Sequence, residues 1–177
     1  MNNETKVWQG RGSVNIGLVN PKSPTNVGAV MRAAGCYQVE AVYYTGERYE
    51  RGARFQTDTQ DSRRTIPLMR SESLFDDVPN DMTVVCVELV EGAISLPTYD
   101  HPEKAFYIFG PEDGNLRQSV VDQADEVVYI PTIGCMNLAA TANVLLYDRL
   151  SKLTMDDAGD GLIRKSRDCR NHLRVKK

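Results

Sequence analysis

Residues 105–116 read AFYIFGPEDGNL, an apolar run that passes directly into a turn with two glycines and two acidic residues. Apolar residues bounded by a Gly-Pro pair predict a short buried strand, Ala105 to Phe109. The glycines allow either a positive φ or the close approach of a ligand to the backbone. Glu112 and Asp113 could equally complement the dipole of a following helix. The segment therefore predicts a strand, a turn and a helix start, and it leaves the purpose of the turn open.

Along most of the remaining chain, short apolar runs alternate with segments whose apolar residues recur at helical spacing. A first predicted helix has Asn26 or Thr25 as its N-cap and ends at Gly35. Residues 46–66 are polar and rich in arginine, which indicates a long functional loop. The predicted strands cover residues 14–19, 39–44, 82–87, 105–109 and 126–130, and the later helices cover residues 71–77, 116–124 and 137–153. This alternation predicts an α/β fold, with a mostly parallel sheet flanked by helices.

In a parallel sheet, ligands bind beyond the carboxyl ends of the strands. The loops that begin there follow Val19, Val87, Phe109 and Ile130. None of them matches a dinucleotide-binding G-x-G-x-x-G or a P-loop. These loops are the candidates for a binding site of another kind.

The composition excludes several classes of protein. The chain has 177 residues, of which 41% are hydrophobic and 25% are charged, as in an ordinary soluble globular protein. No apolar run is long enough to cross a membrane, and the first residues lack the apolar core of a signal peptide, so we expect a cytoplasmic protein. Four scattered cysteines and two histidines make a metal site or a histidine-based triad improbable.

The charge is distributed unevenly. The net charge of the chain is −3. Residues 164–177 contain seven Lys or Arg and one acidic residue, Asp168, so this segment has a charge of +6 and the rest of the chain has a charge of −9. A second basic cluster comprises Arg48, Arg51, Arg54, Arg63, Arg64 and Arg70. Either cluster could be a solvated surface. Basic clusters on an acidic protein also suit a molecule that meets phosphates in one place.

Residues 20–35 read NPKSPTNVGAVMRAAG and place one arginine among small apolar residues at helical spacing. Such residues usually pack against their own domain. The guanidinium of Arg32 must therefore reach solvent, pair with a carboxylate or point at an anionic ligand. The stretch alone does not choose among these three.

Three segments together resemble the motifs of the TrmH (SpoU) family of RNA methyltransferases, within the SPOUT superfamily. Residues 26–32 carry N-x-G-x-x-x-R, and residues 109–116 read FGPEDGNL. Residues 130–138 begin with Ile-Pro and end with Met-Asn-Leu before an Ala-rich helix. The three segments occur in the family's order, each after a predicted strand, and the resemblance covers residues 14 to 153.

The resemblance implies a C-terminal trefoil knot, a homodimer, S-adenosylmethionine as cofactor and methylation of a ribose 2′-hydroxyl in tRNA or rRNA, with no metal. It divides the chain into an N-terminal extension (1–13), a SPOUT-like methyltransferase domain (14–153) and a basic C-terminal tail (154–177). The catalytic residues it implies are Arg32, Asn26, Glu112 and Asn137. The implied cofactor contacts are Leu89, Gly110, Ile130, Cys135 and Leu138. Without a separate RNA-binding domain, the basic residues Arg48, Arg51, Arg54, Arg63, Arg64, Arg164, Lys165 and Arg167 are expected to bind RNA.

Arg32 is described in the family as the acceptor of the hydroxyl proton. Since a guanidinium keeps its proton above pH 12, we favour a role in gripping an RNA phosphate and orienting the hydroxyl. The sulfonium methyl is already activated, so the site mainly has to place the 2′-oxygen in line with it.

Cys135 departs from the family, because many members have serine there and a thiol is the weaker hydrogen-bond partner. The departure keeps open an RNA-binding module that has the fold but lacks methyl transfer. A flavodoxin-like binder of small molecules is a third interpretation, although it needs neither the arginine clusters nor the asparagines.

Overall fold

A computed structural model describes residues 12–53, 66–153, 159–168 and 170–176 of the protein. Within these residues the strands are β1 (Val14–Leu18), β2 (Ala41–Tyr44), β3 (Leu68–Arg70), β4 (Thr83–Val87), β5 (Ile94–Ser95), β6 (Ala105–Phe109) and β7 (Glu126–Tyr129). They form one sheet in the order β3-β2-β1-β6-β4-β7-β5, and every neighbouring pair is parallel. The predicted α/β class with a parallel sheet is confirmed.

The helices in the described residues are α1 (Pro24–Cys36), α2 (Arg48–Ala53), α3 (Gln118–Val121), α4 (Leu138–Leu153) and α5 (Asp160–Ser166). Two predictions for α1 were wrong by a few residues. Its N-cap is Ser23, whose side chain accepts a hydrogen bond from the Asn26 N–H at 3.3 Å, because a proline is well tolerated in the first turn. The helix also continues one residue past Gly35.

Other boundaries differ where the sequence signal is short. Strands β3 and β5 were not predicted, because three and two residues give too little pattern to read. The helix predicted over residues 116–124 is α3, only four residues long. The first part of the predicted loop at 46–66 forms α2, and residues 54–65 lie outside the described residues. The segment predicted as a helix at 71–77 is a 3₁₀ turn over Leu74–Asp77.

Two apolar layers cover the central strands. On one side of the sheet, Ile16 and Leu18 of β1 pack with Val30 of α1 and Leu145 of α4, all of them fully buried. On the other side, Phe106 and Ile108 of β6 join a second cluster that includes residues of β4 and the 3₁₀ turn. Strands that are apolar on both faces are typical of parallel sheets covered on both sides. Helices α1 and α4 therefore lie together on one face of the sheet.

A buried polar cluster anchors the second half of α4. His101 lies 2.6 Å from the Tyr107 hydroxyl through Nδ1 and 2.9 Å from Asp148 Oδ2 through Nε2. Burial lowers the pKa of His101, partly against the pull of the neighbouring Asp148. Lys152 donates to the same carboxylate at 2.7 Å and to the backbone carbonyl of Leu96 at 2.6 Å. These bonds hold α4, and hence the loop before it, against the body of the sheet.

The strand order places β7 between β4 and β5, although residues 88–93 alone separate β4 from β5 in the chain. The chain therefore crosses the position that β7 fills before β7 itself has been reached. This arrangement is compatible with the trefoil knot that the family resemblance implies, and the knot stays a prediction. None of the described helices is both long and apolar enough to span a membrane.

Candidate active site

A cavity of about 310 Å³ opens beyond the carboxyl ends of β4, β6 and β7. Its size lies within the range of small-molecule sites. The loops that follow these three strands form its wall, as expected for a ligand site in a parallel sheet. The lining includes the five residues for which the family resemblance implies cofactor contacts, Leu89, Gly110, Ile130, Cys135 and Leu138.

A chain of side-chain hydrogen bonds joins the three motifs at one edge of this cavity. The Asn26 Nδ2 of α1 donates to Glu112 Oε1 at 3.0 Å. The Asn137 Nδ2 donates in turn to Asn26 Oδ1 at 2.9 Å. These residues lie 86 and 111 positions apart in the chain, so only the fold brings them together. Three of the four predicted catalytic residues are thus linked through Asn26, which bonds to both of the others.

Glu112 also ties the turn after β6 to the loop before α1. Its carboxylate accepts the backbone N–H of Lys22 at 2.7 Å and that of Ser23 at 3.0 Å. Partial burial raises the pKa of Glu112, but the hydrogen bonds from Asn26, Lys22 and Ser23 outweigh it and leave the pKa below its ordinary value. The sequence had also allowed Glu112 to complement the dipole of a following helix. That role is not needed to explain the residue, because its hydrogen-bond partners lie in and just before α1.

Asn137 has a second contact that fixes its orientation. Its Oδ1 accepts the backbone N–H of Ala139 at 2.9 Å and that of Ala140 at 3.4 Å. The side chain therefore caps α4, which begins at the next residue, Leu138. Because the oxygen is taken up by the cap, the amide N–H₂ is directed at Asn26. This local signal, an asparagine immediately before a long helix, was visible in the sequence.

Arg32 lies apart from this chain of bonds, on the exposed face of α1. Gly28 precedes it by one turn on the same face, and a Cβ added there would meet no atom within 4 Å. Val30, Met31, Ala33 and Ala34 on the other faces are buried. The arginine set among apolar residues is thus the exposed side of an otherwise packed helix.

The basic residues of the second cluster, which runs from Arg48 to Arg70, are paired with carboxylates where the structure describes them. Arg48 of α2 donates to both oxygens of Asp113, at 2.9 and 2.8 Å, and Lys22 Nζ lies 3.4 Å from the same carboxylate. The Arg48 hydrogen bond is the main reason why the pKa of Asp113 is lowered. Arg51 of α2 pairs at 2.5 Å with Glu47, the residue that precedes the helix. Arg54, Arg63 and Arg64 lie outside the described residues.

The predicted RNA contacts of the C-terminal tail belong to α5 and its end. Arg164 and Lys165 occupy the last turn of α5 and are exposed, while Arg167 follows the helix and is half-buried. Residues 154–158, which connect α4 to this segment, lie outside the described part of the chain. The tail thus presents two exposed cations on a short helix.

The loop between β7 and α4 carries Cys135, which is exposed and has a free thiol. Next to it, the hydroxyl of Thr132 donates to the Gly134 carbonyl at 2.9 Å, and Gly134 has a φ of +99°. The side chain of Ile133 is fully exposed. This loop closes one side of the cavity.

Glu88 is a cavity residue that the sequence analysis did not identify. Its Oε1 accepts the N–H of Leu89 and its Oε2 accepts the N–H of Leu116, both at 2.9 Å. A Cβ at Gly110 would lie 3.3 Å from both Glu88 Oε2 and the backbone nitrogen of Leu116, so a side chain there would require these neighbours to shift slightly. A glutamate directly after an apolar strand, at the carboxyl edge of the sheet, was the signal that could have found it.

Comparison with known proteins places the chain in a family. Its sequence matches the model of the SpoU rRNA Methylase family over residues 13–147. No curated protein matches the chain by sequence.

Solved structures of RNA-modifying enzymes resemble the protein in fold. One, from work on the 2-OH methylation of C/U34 on tRNA, is 21% identical with a TM-score of 0.69, covering 83% of this chain and 94% of that chain. The TrmH/SpoU tRNA modifying enzyme of A. aeolicus is 16% identical with a TM-score of 0.65, covering 82% and 78%.

The SpoU methyltransferase AviRb from Streptomyces viridochromogenes, solved in complex with AdoMet, is 19% identical with a TM-score of 0.67, covering 80% of this chain and 61% of that chain. At these identities the structural likeness shows a shared fold. The family model, however, covers well over half of the chain. The protein therefore belongs to the SpoU family of RNA methyltransferases.

Proposed function

We propose that the protein is a cytoplasmic, S-adenosylmethionine-dependent methyltransferase that modifies a ribose 2′-hydroxyl in tRNA or rRNA. The observation that carries the proposal is the hydrogen-bond chain from Glu112 through Asn26 to Asn137 at the edge of the cavity. It joins residues of all three family motifs beside a site of suitable size for a small cofactor. Membership in the family supports RNA as the substrate.

The cavity suits the proposed cofactor in shape and chemistry. Leu89, Ile130 and Leu138 offer apolar surface for an adenine ring, and Gly110 lets a ligand approach the backbone closely. When bound, S-adenosylmethionine would supply a methyl group on an activated sulfonium. The protein then has to exclude water, hold the acceptor in line and help the proton to leave.

The exposed face of α1 is the part of the site that we assign to RNA. Arg32 carries a planar cation that can hold a phosphate in two hydrogen bonds, and Gly28 leaves bare backbone one turn away. A glycine inside a helix costs about 1 kcal/mol relative to alanine and has no packing partner here to explain it. Close approach of a large ligand to α1 supplies the missing reason. Arg164, Lys165 and Arg167 would extend the contact to the phosphate backbone.

A second copy of the chain is the proposed partner of α4. Ala140, Val144 and Tyr147 are exposed and follow one another at helical spacing, so they form an apolar stripe along α4. Val144 is 38% exposed and Tyr147 is 62% exposed. Such a stripe on a helix that otherwise packs into the core supports a homodimer in which α4 meets its counterpart.

Substitution of Arg32 tests the proposed function directly. We expect Arg32→Ala to keep the melting temperature and the affinity for S-adenosylmethionine near wild type and to abolish methyl transfer to RNA, because Arg32 lies outside the core. Arg32→Lys keeps the charge but loses the planar fork, and we expect nearly as complete a loss. Calorimetry, thermal unfolding and transfer of labelled methyl groups to bulk RNA measure the three properties.

The outcomes separate the candidate functions. A multi-degree fall in melting temperature with methyl transfer retained would show that Arg32 serves the fold. Substantial transfer by Arg32→Lys would show that charge alone is enough to hold a phosphate. A wild-type protein that binds both S-adenosylmethionine and RNA without transferring a methyl group would establish the alternative, an RNA-binding module, for which the thiol of Cys135 is the favouring observation.

A further inference from the structure

The lining of the cavity is acidic. Three carboxylates contribute to it, those of Glu88, Glu112 and Asp113. Among the lining residues in the described part of the chain there is no lysine, arginine or histidine. A cavity with this lining favours a cation over a neutral molecule of the same shape.

Two of these carboxylates are committed to neighbouring elements. Asp113 forms ion pairs with Arg48 and Lys22, so its charge is largely balanced. Glu112 accepts three hydrogen bonds, from the backbone N–H groups of Lys22 and Ser23 just before α1 and from the Asn26 amide in α1, so both of its oxygens are engaged with that element. Neither is the best candidate for meeting a ligand charge.

Glu88 differs from both in its partners. Unlike Asp113, it takes part in none of the salt bridges formed by the described residues. Its two oxygens accept only the backbone N–H groups of Leu89 and Leu116, in the loops after β4 and β6, whereas the partners of Glu112 lie at the start of α1. Glu88 is half-buried at the end of β4, where its interaction with a nearby charge is screened less than on an open surface. It therefore carries an unbalanced negative charge into the cavity.

We infer that Glu88 makes the site select the positively charged methyl donor over the neutral product of methyl transfer. The inference rests on the proposed function. S-adenosylmethionine has one carboxylate, one ammonium and one sulfonium, so its net charge is positive. S-adenosylhomocysteine is the same molecule with a neutral thioether in place of the sulfonium. The charge of Glu88 therefore stabilises the bound donor and does little for the product, which leaves the site more readily after transfer.

Glu88 also bridges two cavity loops, and this structural role has a different signature. If Glu88 only held Leu89 and Leu116 in place, its loss would weaken the binding of donor and product alike. A charge effect would weaken the donor and spare the product. The ratio of the two affinities therefore separates the roles.

The experiment measures binding by calorimetry for S-adenosylmethionine, S-adenosylhomocysteine and sinefungin. In sinefungin a carbon that carries a protonated amine replaces the methylated sulfur, so the positive charge is kept. We expect Glu88→Gln to lower the affinity for S-adenosylmethionine and for sinefungin by about tenfold, equivalent to roughly 1.4 kcal/mol of binding free energy. The affinity for S-adenosylhomocysteine should fall by no more than about twofold. Glu91→Gln is the matched control, since Glu91 is exposed in the same loop and does not line the cavity. It should change none of the three affinities.

A further variant, Glu88→Asp, keeps the charge while disturbing the loop contacts, so it should weaken all three ligands and preserve their ratio. Equal weakening of donor and product by Glu88→Gln would overturn the inference and leave the proposed function standing. A loss of selectivity in Glu91→Gln as well would overturn it in favour of general surface charge. If the wild-type protein binds none of the three ligands, the proposed function itself has failed.

Discussion

Removal of the Glu112 carboxylate should loosen the connection between the turn after β6 and the start of α1. The carboxylate accepts three hydrogen bonds, from two backbone N–H groups and the Asn26 amide. Hydrogen bonds to a charged group contribute about 1.5–3 kcal/mol each when well shielded, and we take about 1 kcal/mol for this partly exposed group. We expect Glu112→Ala to lower the free energy of unfolding by roughly 3 kcal/mol, a fall of roughly 6–12 °C in melting temperature.

Glu112→Gln should have a smaller effect. The amide oxygen can still accept from Ser23 and Asn26, but the amide N–H₂ would then face the Lys22 N–H where an oxygen now accepts at 2.7 Å. We expect a loss of roughly 1–2 kcal/mol. Urea unfolding of both variants, with Glu91→Ala as an exposed control, measures these differences.

The pH dependence follows from the lowered pKa of Glu112. A carboxyl whose pKa is lower in the folded state stabilises the fold above its ordinary pKa of 4.5, and that contribution is lost as the pH falls through the lowered value. The difference in unfolding free energy between wild type and Glu112→Gln should therefore shrink below about pH 4.5. The reasoning would be refuted if Glu112→Ala lost less than about 0.5 kcal/mol of unfolding free energy and the unfolding free energies of wild type and Glu112→Gln changed in parallel with pH.

Two further predictions concern exposed faces of the helices. Gly28→Ala should raise the melting temperature by roughly 2–4 °C, because the glycine lies inside α1 with open space around it, and should lower RNA methylation because the added methyl group stands where RNA approaches. A more stable protein that methylates RNA at the wild-type rate would contradict that contact. Tyr147→Asp should produce monomers in light scattering, because each copy of the chain would bring one negative charge into the proposed α4 interface. A dimer that survives the substitution would exclude this face as the interface.

Parts of the fold were predictable because local signals agreed with one another. The bounds of β6 follow from an apolar run that meets a Gly-Pro pair, and the structure has the same limits. Helix α4 was predicted to within one residue, since its apolar spacing is long and regular. The start of α1 was predicted wrongly because Thr25 and Asn26 are also residues that favour the N-cap position taken by Ser23. Pro24 was taken to interrupt the chain, although it occupies the first turn of the helix.

The site was predictable only in part, because its contacts are not local. Of the four loops expected to carry a site, those after Val87, Phe109 and Ile130 line the cavity, because all three follow strands at one edge of the sheet, whereas its lining includes no residue of the loop after Val19. No pattern in the sequence, however, pairs Arg48 with Asp113, which are 65 positions apart. That pair turns a basic residue expected at the RNA surface into a partner of the cavity loop. The environment of Glu88 depends in the same way on Leu116, which reaches it only through the packing of β4 beside β6.

The place of β7 in the sheet has a consequence for how the protein is made. Within the described sheet, β5 pairs only with β7, and β7 is also the neighbour of β4. During synthesis, β5 therefore emerges from the ribosome before its partner β7 has been made. Pairing between segments that lie far apart in the sequence is slow, and unpaired strand edges are exposed to aggregation while it proceeds. The cavity cannot exist before residues 126–138 emerge, so no cavity ligand can stabilise a nascent chain until those residues have been made.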